Sequence, residues 1–119
     1  MGGLLAALLW APAGLATREL LRDDARLVLE RHCGECHIGT LPTALPAALA
    51  VYDLARLEWA ATLTDAQLTG LAGRLAEGSA FFDPFDARNA GQRPPPAPTA
   101  DEQAVVRTYV AAERAARTP

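Results

Sequence analysis

Both cysteines of this 119-residue chain and both of its histidines fall within six consecutive positions, His32-Cys33-Gly34-Glu35-Cys36-His37. Two cysteines three apart at the end of a helix sit within one turn of each other, so their sulfurs face the same side. An imidazole follows directly at His37. A redox disulfide is one reading of Cys-x-x-Cys, but that motif usually follows a strand in a βαβ unit, and the residues before Cys33 carry a helical pattern. A structural zinc site needs four ligands, and six consecutive residues are too cramped to supply them all around a tetrahedral ion. No other Cys or His exists in the chain to complete such a set, which leaves carboxylates as the only remaining help.

The third reading is chemical attachment of a haem, for which Cys-x-x-Cys-His is the signature. Sulfurs one turn apart can reach the two vinyl groups on one porphyrin edge and form thioethers. The adjoining neutral imidazole then coordinates iron through one nitrogen while the other is held by an acceptor. On this reading Cys33 and Cys36 tether one covalent haem c and His37 is the proximal iron ligand.

The segment preceding the motif fits a helix. From Thr17 to His32, the residues Leu21, Ala25, Val28, Leu29 and His32 recur on one stripe of a 3.6-residue period, with Arg22, Asp23, Arg26, Glu30 and Arg31 facing away. His32, in the last turn, is expected to complement the helix dipole as a half-exposed imidazole. Chained to the proximal anchor, it is poorly placed to reach the other haem face.

Residues 1–16 are apolar, rich in small residues and without a charged side chain. The run is too short to span a bilayer, and its small residues offer cleavage sites, so it reads as a signal-peptide-like segment, or as a membrane tether if it is not removed. A buried N-terminal helix is the structural alternative. This sets the expected organisation as 1–16 leader and 17–119 domain, with a periplasmic or otherwise exported location.

After His37, Pro42 and Pro46 stop the helix from continuing, and Pro46 opens a short helix through Val51. Tyr52 and Trp59 are candidates to pack a porphyrin or donate to its propionates, with ordinary core packing as the alternative. Thr64-Asp65-Ala66-Gln67 is a capping box that starts a helix with Leu68, Leu71 and Leu75 on one face. Gly70 and Gly73 within it predict a close approach of backbone to another helix or to the cofactor. From Glu77 to Pro98 the pattern is irregular, with Phe81, Phe82 and Phe85 predicted to wall a pocket and Pro94, Pro95, Pro96 and Pro98 to be extended. Thr99-Ala100-Asp101-Glu102 opens a final helix to about Arg117, acidic at its start and basic at its end.

An amphipathic helix entering Cys33-Gly34-Glu35-Cys36-His37, a middle helix near Asp65 and a terminal helix bearing Val106-Arg107-Thr108-Tyr109-Val110 resemble the plan of small class I c-type cytochromes. The resemblance implies an all-α fold, a small cytochrome c-like helical domain wrapped around one covalently attached haem. It also implies single-electron transfer to redox partner proteins, not enzymatic turnover. In that family a proline carbonyl after the motif commonly accepts from the axial histidine, here Pro42 or Pro46. The family's distal methionine has no counterpart, because the single methionine is Met1. The distal position then falls to Asn89, Tyr52, water, a partner group or nothing, which predicts a lower potential than a Met/His haem has. A five-coordinate gas or redox sensor or peroxidatic domain is the alternative function, and a haem-free helical interaction module held by a Cys33–Cys36 disulfide is the other. With 11 basic residues, all Arg, against 14 acidic ones, the net charge of −3 provides no basic face for nucleic acid.

Overall fold

The computed structural model describes residues 13–77, 85, 91 and 96–118. Among them the chain is helical and has no strand: α1 Ala13–His37, α2 Pro46–Val51, α3 Asp65–Ala76 and α4 Ala100–Arg117, with a 3₁₀ turn at Trp59–Thr62 between α2 and α3. The residues expected to form a leader lie outside this range up to position 12. Helix α1 starts at Ala13, four residues before the expected Thr17, and runs through the whole cysteine motif to His37.

The local signals that start the helices operate as their chemistry requires. Thr64 accepts from the Gln67 amide while Gln67 accepts from that of Thr64, and Thr99 and Glu102 repeat the arrangement at α4. Each box satisfies two amides that have no intrahelical partner. Pro46 opens α2, where its missing N–H costs nothing.

Helix α1 packs chiefly on α4, and α4 on α3. Their shared core contains Ala25 and Leu29 from α1, Leu68, Leu71 and Leu75 from α3, and Val106, Tyr109 and Val110 from α4, closed by Leu54, Trp59 and Leu63 from the connector. Complete burial of each leucine contributes about 1.5–3 kcal/mol relative to exposure. Arg117 ties the end of α4 to the 3₁₀ turn, its guanidinium donating to the carbonyls of Ala60 (2.9 Å) and Leu63 (2.8 Å).

Three expectations change. Arg22 does not face away: its side chain is largely covered and pairs with Glu58 at 3.1 Å. Gly70 and Gly73 are exposed, and a Cβ on either would meet no atom within 4 Å, so neither marks a close helix approach among the described residues. Phe85 is 95% exposed, while Phe81, Phe82, Asn89, Pro94 and Pro95 lie outside the described residues. No helix of the described residues is long and apolar enough to cross a membrane.

Candidate functional site

The motif occupies the last turn and a half of α1, where carbonyls lose their intrahelical donors. Here the following loop supplies them. The Thr43 hydroxyl donates to the Glu35 carbonyl at 2.6 Å, the Leu45 amide to that of Cys36 at 3.1 Å and the Leu54 amide to that of His37 at 2.8 Å. Residues 43–54 therefore wrap the helix end and fix its backbone. Gly34 is buried within it, and a Cβ there would come within 2.8 Å of the Ile38 side chain.

Cys33 and Cys36, one turn apart, are both half-buried and not in a disulfide. Burial pushes the Cys33 thiol up, while the polar Tyr52 hydroxyl pulls it partly back. The same burial pushes the Tyr52 phenol far above its ordinary value, so it remains a donor.

His37 is held by Tyr52 in two ways. Its Nδ1 donates to the Tyr52 carbonyl at 3.1 Å, and the two rings stack with centroids 3.8 Å apart and planes within 3°. A carbonyl can only accept, so Nδ1 carries the proton and Nε2 carries the lone pair. Burial pushes the imidazole pKa down, which favours this neutral form. Among the described residues Nε2 has no hydrogen-bond partner, and it is the atom through which His37 can bind a metal.

Asp53 locks the loop in place. Its Oδ1 accepts from the amides of Gly39 and Ala55, both at 2.9 Å, and these bonds hold its carboxyl below the usual range. A Cβ at Gly39 would run into that carboxylate, so a larger residue there would push Asp53 off its two amides. Tyr52, 6% exposed, also meets Trp59 with ring centroids 6.0 Å apart, and Trp59 in turn meets Tyr109 at 5.5 Å.

Family models, curated proteins and solved structures yield no match to this chain.

Four sequence expectations can now be placed. Cys33, Cys36 and His37 all lie in the last turn and a half of α1. The acceptor for His37 is the carbonyl of Tyr52, not of Pro42 or Pro46, because the loop turns back and delivers the end of α2 to the ring. Tyr52 cannot be a distal ligand, since its ring lies on the imidazole and its hydroxyl is buried against Cys33. His32 is not a half-exposed dipole partner. It is the buried polar residue of the described core, with Nδ1 2.8 Å from the Pro96 carbonyl oxygen and Nε2 2.9 Å from Glu102 Oε2. Both nitrogens are committed to oxygen acceptors, which removes His32 from the metal-binding candidates. Among the described residues no three His, Cys, Asp or Glu side chains cluster to hold a metal ion, so no self-contained zinc site forms there.

Proposed function

We propose that this chain is a haem-binding c-type cytochrome that transfers single electrons through one covalently attached haem, with Cys33 and Cys36 as tethers and His37 as proximal iron ligand. The observation that carries this reading is the tautomer of His37. A carbonyl fixes the proton on Nδ1 and leaves the Nε2 lone pair unengaged by the described residues, beside two cysteine side chains one turn apart that form no disulfide. That donor set fits an iron porphyrin joined through both sulfurs and ligated axially by imidazole. Trp59 adds support: its Nε1–H is buried and lacks a partner among the described residues, as a donor for a porphyrin carboxylate would.

When bound, the group supplies exchange of one electron at iron. The chain's own contribution is positional. Residues 43–54 cap the motif's backbone, Tyr52 fixes the ring plane and tautomer of His37, and Asp53 holds the loop that carries Tyr52. The acceptor on Nδ1 also raises the basicity of Nε2 toward a metal. Electron transfer demands little rearrangement, and a helix end fastened at three consecutive carbonyls provides a rigid seat for it. Redox partner proteins would meet such a site in small, transient encounters.

A second reading, a five-coordinate haem sensor, is favoured by one observation: the sole methionine is Met1. Carbon monoxide separates the two. An unresponsive ferrous spectrum supports six-coordinate transfer, and a shifted Soret band supports the sensor.

The deciding experiment is export to a bacterial periplasm with c-type maturation machinery, followed by intact mass and a pyridine haemochrome spectrum. The expected product carries one haem and has no free thiol. Folded, colourless protein with Cys33 and Cys36 free or paired to each other overturns the proposal in favour of a haem-free helical module.

A further inference from the structure

We infer that Tyr52, Trp59 and Tyr109 form a relay along which one oxidising equivalent crosses the core from the cysteine motif to a polar cavity, where it comes to rest on Tyr109. Loading the relay through haem rests on the reading above, and the passage from ring to ring stands on the structure alone. The rings follow one another without a gap. Tyr52 meets Trp59 with planes tilted by 58°, and Trp59 meets Tyr109 at 47°, both pairs within the range of direct aromatic contact. Trp59 is 1% exposed, so its exchange partners are neighbouring rings rather than solutes.

The relay ends where a proton can leave. Tyr109 lines a cavity of about 130 Å³ together with Arg18, Arg22, Glu58 and Glu113, room enough for several waters. Arg22 stands eleven residues before Cys33 on α1, about 16 Å along the helix axis, so the cavity is well removed from the motif. Among the described residues the buried Tyr109 hydroxyl has no hydrogen-bond partner, a costly arrangement for a group that serves packing alone. Glu113 follows one turn later on α4 and lies on the same side of the helix. Burial first, and the Glu113 charge second, push the phenol far above its ordinary value, so Tyr109 keeps its proton until it is oxidised.

An oxidant takes one electron from Trp59. Its Nε1 proton has no acceptor among the described residues, so the indole remains protonated as a radical cation. Tyr109 then gives one electron to Trp59 and its hydroxyl proton to the Glu113 carboxylate. The products are neutral Trp59, a neutral tyrosyl radical and a carboxylic acid. A phenol able to shed its proton is easier to oxidise than a protonated indole, which sets the direction. In the haem-loaded chain the oxidant is a peroxide acting at the iron, and Tyr52 bridges the motif to Trp59.

Trp10→Phe leaves Trp59 as the one indole of the chain. In this haem-free full chain, an ultraviolet flash with a cobalt(III) ammine to capture the ejected electron is expected to produce the indole radical band, which gives way to a tyrosyl band. An indole radical that decays with no tyrosyl band overturns the inference. Tyr109→Phe removes a hydroxyl that bonds to nothing and leaves the packing in place. It is expected to abolish most of the tyrosyl signal and to prolong the indole radical, whereas Tyr52→Phe is expected to keep the signal. A tyrosyl yield that survives Tyr109→Phe, or vanishes with Tyr52→Phe, overturns the inference. Glu113→Gln keeps the shape and removes the proton acceptor, so the handover must slow, and an unchanged rate overturns the proton step. In exported, haem-loaded protein, a peroxide with a nitroso spin trap is expected to mark Tyr109, read by peptide mass, and an adduct confined to Tyr52 overturns the crossing. Haem-free wild type after export would instead overturn the cytochrome reading and leave the flash result standing.

Discussion

The imidazole of His37 lies flat on the ring of Tyr52, 3.8 Å away, while its Nδ1 donates to the carbonyl of the same tyrosine at 3.1 Å. One residue thus fixes the plane and the tautomer of the other. In long-range proton–nitrogen spectra of the nitrogen-15-labelled, haem-free chain, His37 is expected to show a protonated Nδ1 and a pyridine-like Nε2. Burial lowers its pKa in the fold, so the unfolded chain takes up the second proton first. Stability should therefore decline as pH falls below the ordinary histidine value of about 6.5. A spectrum with the proton on Nε2 would sink both the tautomer assignment and the ligand role.

Under the proposed haem attachment, the two sulfurs make separable contributions. Cys33→Ser and Cys36→Ser are each expected to yield protein with one thioether after export, read by a displaced haemochrome band and retention of colour in denaturant. The double variant should lose the haem on denaturation. Equal, full haem retention under denaturant in the double variant would show that the cysteines tether nothing.

Arg117 closes the opposite end of the core. It donates to the carbonyls of Ala60 and Leu63, and its ion pairs with Asp65 (3.1 Å) and Glu113 (3.3 Å) are more open to solvent. The carbonyl bonds dominate, since exposed ion pairs contribute little. Arg117→Ala is expected to cost about 2 kcal/mol in urea unfolding, the range for hydrogen bonds to a charged group. Arg117→Lys should recover only part, because an ammonium cannot span two carbonyls as the guanidinium fork does.

What the sequence disclosed follows the range over which each signal acts. Capping boxes at Thr64–Gln67 and Thr99–Glu102, the proline at position 46 and the stripe through Ala25 and Leu29 act over a few residues, and the helices form where those signals stand. The grouping of Cys33, Cys36 and His37 is equally local. Tyr52 lies 15 residues from His37, and its role needed the loop's path to be known. His32 stands on the apolar stripe, but it meets Pro96 and Glu102 from 64 and 70 residues away, so its partners had no local sign. The 3₁₀ turn at Trp59–Thr62 was missed because its order derives from Arg117 and the buried Trp59, both features of packing. The glycines at 70 and 73 misled in the other direction: their helix cost is tolerated on an exposed face, with no neighbour to explain them.

Glu102 joins the two ends of the chain's described fold. Its Oε1 accepts from the Thr99 amide at 3.0 Å, completing the α4 capping box, and its Oε2 meets His32 Nε2 at 2.9 Å. The Thr99 amide first, and His32 second, hold its carboxyl down to about 2. A carboxyl depressed in the fold contributes stability that is present above its unfolded value near 4.5 and is lost as pH falls through about 2. Glu102→Gln keeps an acceptor for the Thr99 amide but has no charge to offer His32. At pH 6 the variant is expected to unfold at lower urea than wild type. The gap should narrow stepwise from pH 5 toward pH 2, as the wild-type carboxylate takes up its proton and becomes as neutral as the amide. A gap that stays constant across that window would show that the pair's charge does not support the fold, and that His32 is held at the start of α4 by shape and by the Pro96 carbonyl alone.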